Sequence, residues 1–295
     1  MYSTLSDLRQ TLEEKLLIVG NNKKYGQVVF LAGGAGSGKG FAISNLIGMG
    51  NPPKIFDPDA MKTAFIRWNT QALKHPEIAA ICNPDGKPTE DKPCMKDPKV
   101  TEKLHGLLAS LGWDDKSINQ FLMTKRSPDL LPNIVFDRTF RNMDGVNYLL
   151  PMLKQAGYKP ENIHIIWVLT DYRIAAKQNL SRDRTVPPEI LFNTHDGAAK
   201  TMLGIATQKY PVKEYINGEV WTIVGRANKV VSDKGGSYII KPDSSSGSLK
   251  FIKVKSAGKD FESPTAVWNK IGCHICTNTP LSDEDICRDK PPQCN

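Results

Sequence analysis

Residues 28–48 read VVFLAGGAGSGKGFAISNLIG, and their order of apolar run, glycine cluster and helical pattern decides the fold. Val28 to Ala32 is the short, continuous apolar run of a buried parallel strand. Gly33, Gly34, Ala35, Gly36, Ser37, Gly38 and Lys39 fit the pattern G-x-x-x-x-G-K, and Phe41 to Ile47 resumes with helical character. In that context the glycines let the backbone turn tightly, so that its N–H groups face phosphate oxygens. The helix N-terminus adds positive potential, and Lys39 reaches the terminal phosphates. A purely structural strand-to-helix turn is the competing reading.

Gly40 is the departure in this loop, because a Ser or Thr commonly follows the lysine and helps to hold magnesium. Small-molecule kinases such as adenylate kinases also carry Gly-Lys-Gly, but they continue with Thr where this chain has Phe41. Magnesium must then be organised by Ser37, Ser44 or acidic residues, or be held mainly by nucleotide and water. The loop favours a nucleoside-kinase-like enzyme over a switch GTPase, whose loop hydroxyl is central to its cycle.

Working outward, Leu5, Leu8, Leu12 and Leu16 recur at helical spacing and predict an amphipathic N-terminal helix ending near Gly20. A second strand lies in PKIFDPDAM. Residues 82–98, dense in Pro, Asn-Pro and Asp-Gly, read as an irregular insertion. Helices are expected from about Val100 to Leu111 and from Lys116 to Met123. A strand in NIVFD follows, then a helix in MDGVNYLLPMLKQAGY and a fourth strand in NIHIIWVLT. This alternation predicts an α/β fold, a three-layer core around a mostly parallel sheet. After Glu219 the short runs VWTIVG, KVVSD, SYIIKP and LKFIKVK predict small antiparallel strands at the C-terminal side, followed by a Cys-containing tail. The expected organisation is an N-terminal helix in 1–25, a main domain over 26–245 with a lid at about 171–195, and a basic, Cys-rich extension over 246–295.

A group transferring phosphate to a hydroxyl needs a carboxylate at the C-terminal edge of a neighbouring parallel strand. IFDPDAMK supplies Asp57 and Asp59 there, with Lys62 a helical turn on. Asp59 is the candidate general base and Lys62 would hold substrate or phosphate; the alternative is that Asp59 caps the next helix. Asp137 ends the NIVFD strand, where a carboxylate can orient hydrated magnesium together with Asp57. Arg138 and Arg141 follow on the same edge and are candidates for acceptor contact, with a surface role as the alternative. Arg173, Lys177, Arg182 and Arg184 concentrate charge in a segment broken by Pro187 and Pro188. Arg182 and Arg184 are candidates to clamp the transferring phosphoryl group, against a solvated helix face. His195, alone beyond the break, reads as structural.

The formal net charge is +8 over 295 residues, which suits a polyanionic partner such as DNA, although many basic proteins bind none. No run approaches the roughly 18 apolar residues of a membrane span, and MYSTLSDLRQ lacks the order of a secretory signal. A cytoplasmic location is expected, and with it reduced thiols. Under that expectation Cys273 and Cys276 form a C-x-x-C hook that, with Cys287 and Cys294, is compatible with a structural Zn2+ site. Free thiols and a disulfide are the alternatives. Between Lys200 and Asp260 the aromatic residues Tyr210, Tyr215, Trp221, Tyr238 and Phe251 are interleaved with basic ones. Such a surface can stack bases, or it can be core.

With GGAGSGKG, DPDAMK, VFDRTFRN and the Arg182/Arg184 segment before VPPE in this order, the chain resembles the zeta-toxin and polynucleotide-kinase branch of the P-loop kinases. The resemblance spans roughly Val28 to Tyr210. It implies an ATP- and Mg2+-dependent kinase with an alcohol acceptor, Asp59 as base, Lys39 on phosphate and Arg182 and Arg184 clamping the triphosphate. Lys62 stands where polynucleotide kinases have Arg. Within the branch the chain looks most like the bacteriophage kinases that phosphorylate 5-hydroxymethyluracil in DNA. A zeta-type kinase of UDP-N-acetylglucosamine, a polynucleotide 5′-hydroxyl kinase and a nucleotide-dependent nucleic-acid binder are the alternatives.

Overall fold

The computed structural model describes residues 17–72, 76, 95, 97–124, 126–181, 185–225, 228–232, 238–242, 249–283 and 287. Strand β1 (Leu17–Ile18) leads to β2 (Val28–Ala32), the phosphate-type loop and α1 (Lys39–Asn45), then β3 (Ile47–Gly48), β4 (Lys54–Phe56) and α2 (Pro58–Ala72). Helices α3 (Pro98–Leu111) and α4 (Trp113–Leu122) precede β5 (Ile134–Asp137), α5 (Asp144–Asn147), α6 (Leu149–Gln155) and β6 (Ile163–Thr170). The chain continues through α7 (Tyr172–Ser181), α8 (Pro188–Ala206), β7 (Val220–Gly225), β8 (Asn228–Ser232), β9 (Tyr238–Pro242), β10 (Lys250–Lys255) and α9 (Pro264–Asn278).

The central sheet has the order β10-β7-β6-β2-β5-β4, with only β10 antiparallel to its neighbour. All five residues of β2 are fully buried, because successive side chains enter different faces and both faces are covered. Val28 and Phe30 join Ile134, Phe136, Ile165 and Trp167 in one core, roofed by α5, α6, α8 and α9. Val29 and Leu31 join Val135, Ile166, Val168 and Ile223 on the other face, under Ala42 of α1 and Leu17. These are the three layers the sequence implied. Register stacks Phe30, Phe136 and Phe56 across three strands, with ring centroids 5.1 and 5.3 Å apart. A separate cluster of Phe65, Ile66, Leu104 and Leu108, with Trp68 and Trp113 against it, binds α2, α3 and α4 together.

Three expectations change. Residues 1–16, where the N-terminal helix was expected, lie outside the described residues, but it does not reach Gly20, because Leu17 and Ile18 pair in parallel with Ile47 and Gly48. Val220–Gly225 pairs antiparallel with Lys250–Lys255, as expected, but it is not confined to a small separate unit. It enters the main sheet parallel to β6, since α8 provides the crossover that a parallel neighbour requires. Among the described residues only β8 and β9 form a separate antiparallel pair, and β10 closes the sheet edge. The region beyond 245 thus contributes a sheet strand and, through Val267, Ile271 and Ile275 of α9, part of the main core.

The zinc expectation is corrected as well. Ser263 caps α9 by accepting from Ala266 N–H at 3.2 Å, and Cys273 and Cys276 sit one turn apart on that helix. Cys276 is joined to Cys287 in a disulfide and Cys273 is also disulfide-bonded, which leaves none of the three as a thiolate for metal. Cys294 lies outside the described residues. These three cysteines are therefore paired rather than reduced as expected, and no described helix is long and apolar enough to cross a membrane. The Cys276–Cys287 bridge closes an 11-residue separation, so its removal by the double change Cys276→Ala and Cys287→Ala is expected to cost about 2–3 kcal/mol. A urea titration would register this as a lower midpoint, and an unchanged midpoint would rule it out.

Candidate functional site

The C-terminal ends of β4, β2, β5 and β6 lie on one sheet edge, and the phosphate-type loop, Asp57 and Asp137 hang from them. Three glycines of the loop have positive φ, Gly33 at 143°, Gly36 at 73° and Gly38 at 89°, a region open to glycine at little cost. Thr170 at the end of β6 donates to Ser37 O at 2.7 Å. Lys39 Nζ donates to the carbonyls of Gly33 and Gly34 at 2.9 and 3.1 Å and lies 3.7 Å from Asp137 Oδ1. A triphosphate would compete for this ammonium with carbonyls, which are weaker partners than phosphate. Burial pushes the Asp137 carboxyl upward, against the pull of Lys39 and with the help of Asp57.

Asp57 neighbours Asp137 because Phe56 pairs with Phe136, one residue before each. Asp57 Oδ1 accepts from Asp59 N–H at 2.9 Å, so Asp57, not Asp59, caps α2. The Asp59 carboxylate accepts instead from Lys62 Nζ at 3.2 Å. Lys62 is only 5% exposed, and desolvation lowers its pKa despite the fields of Asp114 and Asp57.

Around Lys62 lies a group that the sequence did not disclose. Asp114, in the first turn of α4, is raised by burial and drawn back by Arg138 and Lys62. His105 of α3 is lowered, first by burial and then by Lys62. Arg138 donates to Tyr148 Oη at 3.0 Å, and burial holds the Tyr148 hydroxyl at about 12. Asp114 Oδ1 and Arg138 Nε are buried without a hydrogen-bond partner. Placing the second helix at Lys116 left Asp114 and Asp115 in a loop; Gly112, left-handed at φ 58°, is the signal that could have moved the start to Trp113.

Of the expected site residues, Lys39, Asp57, Asp59, Lys62, Asp137 and Arg138 come together. Arg141 is exposed beside this group; its backbone packs so closely on α8 that a Cβ at Gly197 would lie 2.3 Å from Arg141 O. Arg182 and Arg184 lie outside the described residues. Arg173 turns to Asp171, in a 2.7 Å pair, and to Thr277 O. At Gly40 a Cβ would meet nothing within 4 Å, and Phe41 is 58% exposed. Ser37 Oγ is buried and without a partner. Of the aromatic residues expected to stack bases, Tyr210 and Tyr215 pack against the core, Trp221 donates to Glu219 and lies under Lys253, and Phe251 packs on the core, while the side chain of Tyr238 lies outside the described residues.

No family model matches the sequence, and no curated protein matches it. Twelve chains of solved structures do match. One, from a characterisation of the PezAT chromosomal toxin-antitoxin system of Streptococcus pneumoniae, has 15% identity and a TM-score of 0.38, covering 74% of this chain and 73% of that one. The AvrRxo1-ORF1:AvrRxo1-ORF2 structure with sulphate ions has 12% identity and a TM-score of 0.49, covering 90% and 70%. The same complex with ATP has 13% identity and a TM-score of 0.47, covering 88% and 67%. At these values the chemistry has to be read from this chain's own residues.

Proposed function

We propose that the chain is an ATP-dependent kinase that transfers the γ-phosphate to a hydroxyl group. The observation that carries this reading is the edge where Lys39, beneath a glycine-rich loop, meets Asp137 at 3.7 Å while Asp57 caps α2 and turns Asp59 toward Lys62. In the proposed step the γ-phosphorus leaves the bridging oxygen of ADP and bonds to the acceptor oxygen. The acceptor proton passes to the Asp59 carboxylate. Lys39 exchanges its loop carbonyls for phosphate oxygens, and Lys62 holds Asp59 in place.

Asp57 and Asp137 fit a hydrated Mg2+, being hard carboxylate donors on adjacent strand ends, and Ser37 Oγ is an unpartnered oxygen donor in the loop. Bound there with nucleotide, the ion would neutralise phosphate charge. The acceptor enters beside Lys62, Asp114, Arg138 and Tyr148. We take 5-hydroxymethyluracil in DNA as the leading acceptor, on the motif resemblance and the net charge of +8; UDP-N-acetylglucosamine and a polynucleotide 5′-hydroxyl are the others.

The test is transfer of labelled γ-phosphate to three acceptors in parallel: DNA containing 5-hydroxymethyluracil, thymine DNA with a free 5′-hydroxyl, and UDP-N-acetylglucosamine. Label on the first alone supports the base kinase. Label on either other moves the acceptor while keeping the kinase, and label on none removes it. For whichever acceptor is used, Asp114→Asn is expected to raise its KM about tenfold or more, because it alters the charge balance around Lys62 and Arg138. An unchanged acceptor KM would place Asp114 outside the acceptor site.

A further inference from the structure

Helix α8 reaches the phosphate loop with two consecutive side chains. Thr194 Oγ1 accepts from Ala35 N–H at 3.1 Å and donates to Leu191 O at 2.8 Å. His195 Nε2 donates to the Ala35 carbonyl at 2.9 Å. Both backbone groups of one loop residue are therefore tied to a helix about 160 positions later in the chain. The imidazole also fills the space beside Gly34, where a Cβ would stand 2.1 Å from the ring. Thr194 and His195 are 6% and 3% exposed.

We infer that Thr194 and His195 are positioning residues that hold the phosphate loop in its cradle shape before nucleotide arrives. The inference rests on reading residues 33–40 as the nucleotide site. A loop with several glycines loses much conformational freedom when it orders. If it ordered only on binding, that cost would weaken affinity, whereas a loop already pinned binds without it. Ala35 is the place to pin it: it lies between Gly33 and Gly36, whose φ values of 143° and 73° are wholly unlike those of a helix or strand. Gly36 is confined from the α7 side too, since a Cβ there would be 3.0 Å from Ala175 O. Burial keeps His195 neutral, with a pKa of about 4, so the ring has one N–H, and the Ala35 carbonyl fixes it on Nε2.

The test measures affinity for mant-ATP, which needs no acceptor, together with urea stability. His195→Leu keeps bulk but removes the donor, and His195→Gln keeps an N–H donor. His195→Leu is expected to weaken mant-ATP binding about tenfold or more, and His195→Gln to stay within about threefold of the parent, although both lose stability. A merely structural histidine would lower stability in both and leave affinity unmoved. Should His195→Leu not fold, Thr194→Val, which removes a single hydroxyl, is expected to weaken binding about threefold. Unchanged affinity in whichever variant folds, or equal weakening by Leu and Gln, overturns the positioning role alone. A parent protein that binds no mant-ATP overturns the nucleotide site along with it.

Discussion

Asp59→Asn is expected to lower phosphoryl transfer by about 10³-fold, roughly 4 kcal/mol in the barrier, while nucleotide affinity stays within about twofold. The amide keeps the size of the carboxylate and can still accept from Lys62 Nζ, now at 3.2 Å, but it cannot take a proton from the acceptor. Because Asp57 supplies the cap of α2, the helix does not depend on Asp59, and the change leaves the architecture in place. Asp57→Asn and Asp57→Ala provide the contrast. Asn caps as well as Asp, whereas Ala forfeits about 1 kcal/mol of stability. Single-turnover transfer and mant-ATP binding on the same preparations separate the cases. If Asp59→Asn transfers at the parental rate, the base assignment falls. If it loses nucleotide affinity in proportion, the residue belongs to the phosphate site instead.

What the sequence disclosed was local. The loop from Gly33 to Gly40, the apolar strands that end in Asp57 and Asp137, and the alternation that makes three layers are each written in a few contiguous residues. That Val220–Gly225 also joins the main sheet parallel to β6 was not legible, because a short run with a buried pattern looks the same in parallel and antiparallel pairing, and α8 decides which edge it reaches. Asp114 escaped because its neighbours Lys62 and Arg138 are brought to it by the packing of Phe65, Leu104 and Trp113, far apart in sequence. His195 was set aside as structural for the same reason: its loop partner is 160 positions away. At Cys273 and Cys276 the spacing fits zinc and a helical turn alike. Ser263 before Pro264 was the overlooked helix-start signal.

Two buried histidines, His164 in β6 and His195 in α8, are expected to withdraw stability as pH falls between about 6.5 and 4. His164 accepts from Glu219 N–H at Nδ1 and donates from Nε2 to Gln27, at 2.9 and 3.0 Å. A proton on Nδ1 would point at that N–H, so the ring is held neutral, and burial takes its pKa to about 4, opposed by Glu219 and aided by Lys255 and Lys23. His195 has the same value, with burial first among its causes, aided by Lys39 and opposed by the Ala35 carbonyl and Asp171. A pKa depressed on folding means that the unfolded chain binds more protons between the two values. Stability is therefore complete above the unfolded value near 6.5 and is lost as pH falls toward 4. Each histidine is worth about 3 kcal/mol across that window, and because they share no hydrogen-bond partner the two contributions are roughly additive. Asp114 and Asp137, raised by burial, hold extra protons in the folded state and work in the opposite direction, so the total slope is not the test. The test is the difference in urea-derived stability between pH 7 and pH 5 for the parent, His164→Gln and His195→Gln. Each variant is expected to lose less on acidification than the parent, by about 2 kcal/mol, because its titrating group is gone. Equal losses in all three proteins would mean that neither ring is held neutral by its partners, and the tautomer that fixes His195 on the Ala35 carbonyl would lose its support.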